Sequence, residues 1–179
     1  MNAPGTPPLS PYGDAGSAFD ALFRQHYGRL ARVAGRIVGD QARAEELVAD
    51  VFLAWRGHPG AHGEGAEGWL YRTAVRMALD TWRRDRRWSR VQWMLARVNG
   101  SPRTPEALHE ANAEREQVRA TLARLRQREA TALLLWSEEV PYAEIAAAVQ
   151  VRPSSVGTFL KRAQLAFRKD YETRYGTHS

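Results

Sequence analysis

The sequence of 179 residues contains no cysteine. That excludes disulfide scaffolds, thiolate-bound zinc and cysteine nucleophiles, and it agrees with a reducing interior. Long apolar runs are missing too. None approaches the roughly 18–20 residues that a spanning helix needs, so the chain is not read as an integral membrane protein. Lysine is nearly absent: Lys161 and Lys169 stand alone among 26 basic residues, the rest being arginine. No apolar alternation of period two marks a strand. No Gly-rich phosphate loop, nucleophile elbow or paired acid/base constellation occurs, which argues against an enzyme and against a bound cofactor.

What is present is a soluble composition, 44% apolar and 26% charged, with a net charge of +6 and a pI near 10.1. Arginine favours planar, bidentate recognition of phosphates and carboxylates, so the balance points to a polyanion partner, nucleic acid above all. The same arginine content also follows from G+C-rich coding.

Met1 to Gly16 is rich in proline and glycine and holds neither Lys nor Arg nor an apolar h-region. It is expected to be a disordered tail, not a signal or transit peptide. From Ser17 a helical period dominates. Ser17 with Asp20 resembles a capping box, and Phe19, Leu22, Phe23, Leu30, Val33 and Ile37 form a stripe that Gly39 ends. Asp40 is the natural cap of a second helix whose apolar residues are Leu47, Val48, Val51, Phe52 and Trp55, with Glu45, Glu46 and Asp50 off that stripe. Gly57 to Gly65 reads as a loop. A third helix is expected over roughly Glu67 to Arg87, with Leu70, Thr73, Ala74, Met77 and Thr81 on one side. The stretch Asn99 to Pro105, with its Gly and two prolines, is the best linker. Beyond it Val118, Leu122 and Leu125 form a stripe, Ala130, Leu133, Leu134 and Trp136 belong to another helix, and Pro141 opens a short one. The chain is therefore expected to be all-α, as two small helical domains: a tail over 1–16, a first domain over 17–98, a flexible linker over 99–111 and a second domain over 112–175.

Tyr142 to Lys169 has the form of a helix-turn-helix. Val156, Leu160, Ala163 and Phe167 suit packing on Ile145 and Val149. Ser154, Ser155, Thr158, Lys161 and Arg162 lie on a polar, cationic side suited to a major groove, and Arg152 with the helix amides suits phosphates. The bland alternative is a helical hairpin with a solvated face. Trp82 to Arg90 interleaves arginine with tryptophan, as a strand with exposed bases would require; it reads equally well as a basic helix end favoured by the dipole, with its tryptophans in the core. Glu45, Glu46 and Asp50 suit a protein-contact face or first-turn charges better than a metal site. Glu106 and His109 form a lone Glu-x-x-His, too little for a di-iron bundle. His58 and His62 lie in a Gly-rich loop and share no helix face. No metal site is expected.

Taken together, FDALFRQHYGRLARVAGRIVGDQARAEELVADVFLAW, WLYRTAVRMALDTWRRDRR and LLLWSEEVPYAEIAAAVQVRPSSVGTFLKRA resemble a bacterial RNA polymerase sigma factor of the extracytoplasmic-function group. The resemblance implies a first domain, like sigma region 2, that binds core RNA polymerase through Glu46, Leu47, Asp50, Val51 and Trp55. It implies contact of the minus-ten element by Arg76, Asp80, Trp82, Arg83, Arg84, Arg86 and Arg87, where bases leave the duplex. It implies a region 4-like second domain that reads the minus-thirty-five element through Arg152, Ser154, Ser155, Thr158, Lys161 and Arg162. Promoter DNA, core polymerase and an anti-sigma factor are the implied partners, and a cytoplasmic, nucleoid-associated location follows. The chain departs from the family pattern in carrying Val75-Arg76 where Arg-Asn is common. Gln150 stands at the turn glycine, which costs of order 1 kcal/mol if that residue must be left-handed. Gly157 and Phe159 replace basic residues in the last helix. A stand-alone helix-turn-helix regulator and a carboxylate metalloenzyme are the rival readings.

Overall fold

The structure, a computed structural model, describes the backbone of residues 13–98 and 109–176, and within them the side chains of residues 19–89 and 113–176. Among the described residues the elements are α1 (Gly13–Val38), α2 (Gln41–Arg56), α3 (Ala66–Val98), α4 (His109–Leu122), α5 (Gln127–Ser137), α6 (Tyr142–Val149) and α7 (Val156–Tyr175), with single 3-10 turns at Pro59–Ala61 and Pro153–Ser155 and no strand. The all-α expectation holds.

Local signals account for most boundaries. Gly39, at φ +81°, turns the chain out of α1, and the Asp40 carboxylate accepts the Arg43 N–H at 3.0 Å to cap α2. Before α5 the Glu129 carboxylate reaches back to the Arg126 N–H at 3.2 Å, satisfying an amide that the helix cannot. Two boundaries differ from expectation. Helix α1 already begins at Gly13, so Gly13–Gly16 form its first turn and Ser17 is interior, not a cap. Helix α3 runs on to Val98 instead of ending near Arg87. No Gly or Pro occurs between Trp69 and Val98, and arginine is a good helix former, so nothing interrupts the ladder until Asn99-Gly100. The tail over 1–12 and the linker over 99–108, including Glu106, lie outside the described residues; 109–111 belong to α4.

The two halves pack on each other. Helix α3 contacts α1 and α2 on one side and α5 and α6 on the other. One continuous apolar core runs from Leu30, Val33 and Ile37 through Val48, Val51 and Phe52 to Leu135, Ile145 and Val149. That explains why Tyr71, Val75, Ala78 and Leu79 of α3 are buried although they fall off the single expected stripe: this helix covers two faces. Phe19, Phe23, Tyr27, Phe52 and Trp55 close the far end of the N-terminal half as an aromatic cluster. In the C-terminal half Val156, Leu160 and Ala163 are buried against Ile145 and Val149. Arg124 pairs with Asp170 at 2.7 Å, linking the segment after α4 to α7. Hydrogen bonding from Arg124 holds the Asp170 carboxyl below its ordinary range.

Two non-glycine residues take positive φ, Glu139 after α5 and Gln150 in the turn between α6 and α7, both at 54°. Gln150 sits at φ 54°, ψ 53°, in the left-handed region, and Val151 N–H returns to the Ala146 carbonyl at 3.0 Å. Arg128 donates to the Val149 carbonyl at 2.7 Å and to the Gln150 carbonyl at 3.0 Å, occupying the end of α6. Glycine adopts this conformation without the Cβ clash. Gln150→Gly is therefore expected to stabilise the chain by about 0.5–1 kcal/mol and to raise its thermal midpoint by roughly 1–4 °C. Calorimetry checks this; an unchanged or lower midpoint would show that Gln150 gains more from its side chain than it loses in backbone strain.

Candidate functional site

Three surfaces carry the expected site residues, and the fold sorts those residues sharply. On α2, Leu47, Val51 and Trp55 are core, with Trp55 only 4% exposed. Trp55 Nε1 donates to the Ala61 carbonyl at 3.0 Å. In this arrangement the chain itself covers these three, which the resemblance had assigned to the polymerase contact; helical period marks the face as apolar but not what covers it. Glu45, Glu46, Asp50 and Leu53 are among the residues that face outward. Leu53, 62% exposed, was missed, although its i+3 spacing from Asp50 and i+7 spacing from Glu46 place it on the carboxylate side. An exposed leucine bordered by carboxylates fits a protein contact.

On α3, Arg76, Asp80, Arg84 and Arg87 recur every three or four residues and are exposed. Arg76, Arg84 and Arg87 make no ion pair with another described side chain. Arg83 and Arg86 differ. Arg83 donates to the Asp80 carboxylate at 2.8 Å and to the Ala123 carbonyl at 2.6 Å. Arg86 lies 3.9 Å from the Glu116 carboxylate and 5.1 Å from the Trp82 ring centroid. Trp82 is itself buried, so in this arrangement its ring is core. The tryptophan that presents an open ring is Trp88, 64% exposed, next to Arg87. Arg43 of α2 clamps Asp85 through two hydrogen bonds of 2.6 and 3.0 Å, which removes the one acidic interruption between Arg84 and Arg86.

The third surface is the helix-turn-helix. Arg152, Ser154, Thr158, Lys161 and Arg162 are exposed and Ser155 is half-buried, all off the packed side formed by Val156, Leu160 and Ala163. Arg152, Lys161 and Arg162 form no ion pair among the described residues, so their charge is available to phosphate. All six expected positions thus share one accessible face.

The loop histidines serve packing. His58 stacks on Trp69 at 5.6 Å, and His62 Nε2 lies 3.0 Å from the Trp55 carbonyl oxygen. Among the described residues no three acidic or histidine side chains converge as a metal site, and no helix is long and apolar enough to cross a membrane.

Comparison with known proteins agrees with this geometry. The family model "Sigma-70 region 2" matches residues 22–88, which include the α2 and α3 surfaces. The chain is 28% identical over 167 residues to the ECF RNA polymerase sigma factor SigE of Mycolicibacterium smegmatis, covering 90% of this chain and 64% of that protein. It is 26% identical over 165 residues to the RNA polymerase sigma factor YlaC of Bacillus subtilis, covering 86% and 91%. It is 34% identical over 109 residues to the ECF RNA polymerase sigma factor SigL of Mycobacterium tuberculosis, covering 59% and 55%. The chain thus spans less than two thirds of the two mycobacterial relatives.

If Lys161 and Arg162 meet phosphates, each neutralised contact steepens the salt dependence of duplex binding by about one unit of log–log slope. Lys161→Ala with Arg162→Ala is expected to flatten that slope by roughly 2 for duplex DNA of arbitrary sequence. Fluorescence anisotropy titrations across a salt series measure it; an unaltered slope would remove these two cations from the interface.

Proposed function

Because this chain belongs to the extracytoplasmic-function group of bacterial RNA polymerase sigma factors, we propose that it binds core RNA polymerase and directs it to promoters. The observation that carries this reading is the exposed cationic stripe of α3, Arg76, Arg84 and Arg87 with Trp88 beside it, inside the segment that matches sigma-70 region 2.

The chemistry divides among the three surfaces. Glu46, Asp50 and Leu53 of α2 offer carboxylates around an apolar knob, which fits a basic, partly apolar patch on the polymerase. Salt bridges at such a rim set orientation and encounter rate, while covering the exposed leucine adds apolar burial. The α3 arginines neutralise the backbone of a separated strand. Trp88 offers a face on which an unpaired base gains about 1–3 kcal/mol by stacking, against the few kcal/mol that unstacking costs. The α7 face reads the duplex upstream through short polar side chains, with Arg152 on the backbone. Two separate sites on one chain raise the effective concentration of each for its target once the other is engaged. A protein antagonist of the anti-sigma class is a further expected partner.

Run-off transcription with purified core polymerase on fragmented genomic DNA, followed by mapping of start sites, tests the reading. Discrete new starts that depend on this chain support it. Tight, specific duplex binding by the free chain with no effect on initiation would favour a stand-alone regulator instead. Asp50→Arg combined with Leu53→Asp is expected to weaken association with core at least tenfold, a loss of about 1.4 kcal/mol or more, as read by co-purification and by competition for core. Arg84→Ala with Arg87→Ala should leave that association intact and reduce promoter opening, as measured by permanganate reactivity of unpaired thymines. Normal opening by this variant would take the α3 stripe out of the mechanism.

A further inference from the structure

A groove of about 910 Å³ opens between α1, α4, α5 and α7. It shares no residue with the surfaces proposed above for polymerase and DNA. Its size is that of a small-molecule site, about 300–1,000 Å³. The floor is apolar, and the chain leaves it partly uncovered. Val118, Leu133 and Phe167 are only half-buried, and Trp136 in the last turn of α5 is exposed. Apolar surface gathered in one concavity marks a place where something binds. The wall supplied by α1 has no side chain at Gly35 and Gly39. At Gly39 a Cβ would stand 2.8 Å from Arg119 Nη2. The glycine thus admits the guanidinium that donates to the Arg36 carbonyl at 2.9 Å and pairs with Glu116 at 2.9 Å.

The polar groups of the groove are unevenly matched. Glu138, its side chain only 7% exposed, accepts from Arg32 Nε at 3.3 Å and from Arg36 Nε. One buried carboxylate therefore holds two guanidiniums by their Nε atoms, and neither guanidinium makes another hydrogen bond to a described residue. Arg115, also in the lining, is exposed and makes no ion pair with another described side chain. Four arginines face two carboxylates in the lining, Glu114 and Glu138, with Glu116 beside Arg119, so the excess is positive. An arginine anchored through Nε keeps both terminal amino groups for a second anion, in the fork geometry that suits a carboxylate. Because Glu138 already fixes Arg32 and Arg36, little ordering remains to be done on binding. We propose that the groove binds a small amphiphilic carboxylate of the fatty-acid class, with its head on Arg32 and Arg36 and its apolar body along Val118, Leu133 and Phe167 beside Trp136. The positive excess selects the head, and the uncovered floor selects the body.

The test uses the full chain and the fluorescent probe dansyl-undecanoate, whose emission rises in an apolar site. Dodecanoate and dodecanol, alike in chain and different in charge, then compete for the probe's place. Dodecanoate is expected to displace it about tenfold more effectively than dodecanol, the margin that charge-assisted hydrogen bonds supply. Arg32→Gln and Arg36→Gln are made one at a time, so that Glu138 keeps one cation. Each is expected to narrow that preference to about threefold or less while leaving displacement by dodecanol unchanged. Trp136→Glu, at an exposed position, removes apolar floor and adds a like charge; it is expected to weaken probe binding about tenfold or more. Should that variant lose helical circular dichroism, the selectivity of the two glutamine variants decides the matter. Equal displacement by the two competitors, or an unaltered preference in both glutamine variants, would overturn the head site. A probe that fails to bind, or that binds folded Trp136→Glu as tightly as the parent, would overturn the groove as its location. Sedimentation that shows a dimer of the parent chain, dissociated by Trp136→Glu, would assign the floor to a second copy and overturn the proposal. These measurements use neither polymerase nor DNA, so their outcome and that of the transcription assay are separate.

Discussion

Helix α3 has to be buried on two faces at once, and the rest of the molecule follows from that constraint. One face meets α1 and α2, the other α5 and α6. A helix so placed needs small residues where its neighbours come closest, and Gly68, Ala74 and Ala78 supply them. Up to Trp82 its exposed positions are few, Arg76 and Asp80 among them, whereas from Arg84 to Ser89 most side chains are exposed.

The seam between the halves combines an apolar core with a polar network at its edge. His26 is fully buried, with Nδ1 3.3 Å from the Tyr71 hydroxyl and Nε2 3.3 Å from a Glu67 carboxylate oxygen, the latter without hydrogen-bond geometry. Tyr71 in turn donates to Glu144. Burial pushes the Tyr71 phenol well above its ordinary range, so the hydroxyl remains a donor at any physiological pH. Leaving a buried donor without its acceptor costs about 1–3 kcal/mol, which makes the network a determinant of how the halves sit. Polar groups of this kind also accept water when separated, unlike an apolar seam of the same area.

On the opposite side, Arg32 and Arg36 of α1 both reach Glu138 after α5. Above them lies a groove of about 910 Å³ between α1, α4, α5 and α7, floored by Val118, Leu133 and Phe167 and rimmed by Arg115 and Arg119. Its walls come from both halves, so its shape exists only while they are together. The exposed faces of α2, α3 and α7 that carry the proposed contacts, by contrast, each belong to a single half. That difference separates what is built into each domain from what depends on their arrangement.

Several features were decided by the sequence alone, because they are local. Asp40 caps α2, the run from Leu30 through Val33 to Ile37 is an apolar helical stripe, and Tyr142 to Lys169 folds as a helix-turn-helix whose left-handed residue is Gln150. Each of these depends on groups within a few residues of one another, where propensity, capping and helical period act directly. Tertiary structure decided which apolar stripes are covered by the chain itself. Leu47, Val51, Trp55 and Trp82 went inward, and Leu53 and Trp88 stayed out, although all six lie on amphipathic helices. It also decided the partners of His26, Tyr71 and Glu144, which stand far apart in sequence and carry no spacing signal. Periodicity records that a face avoids water; only the packed neighbours determine whether that face meets its own chain or another molecule.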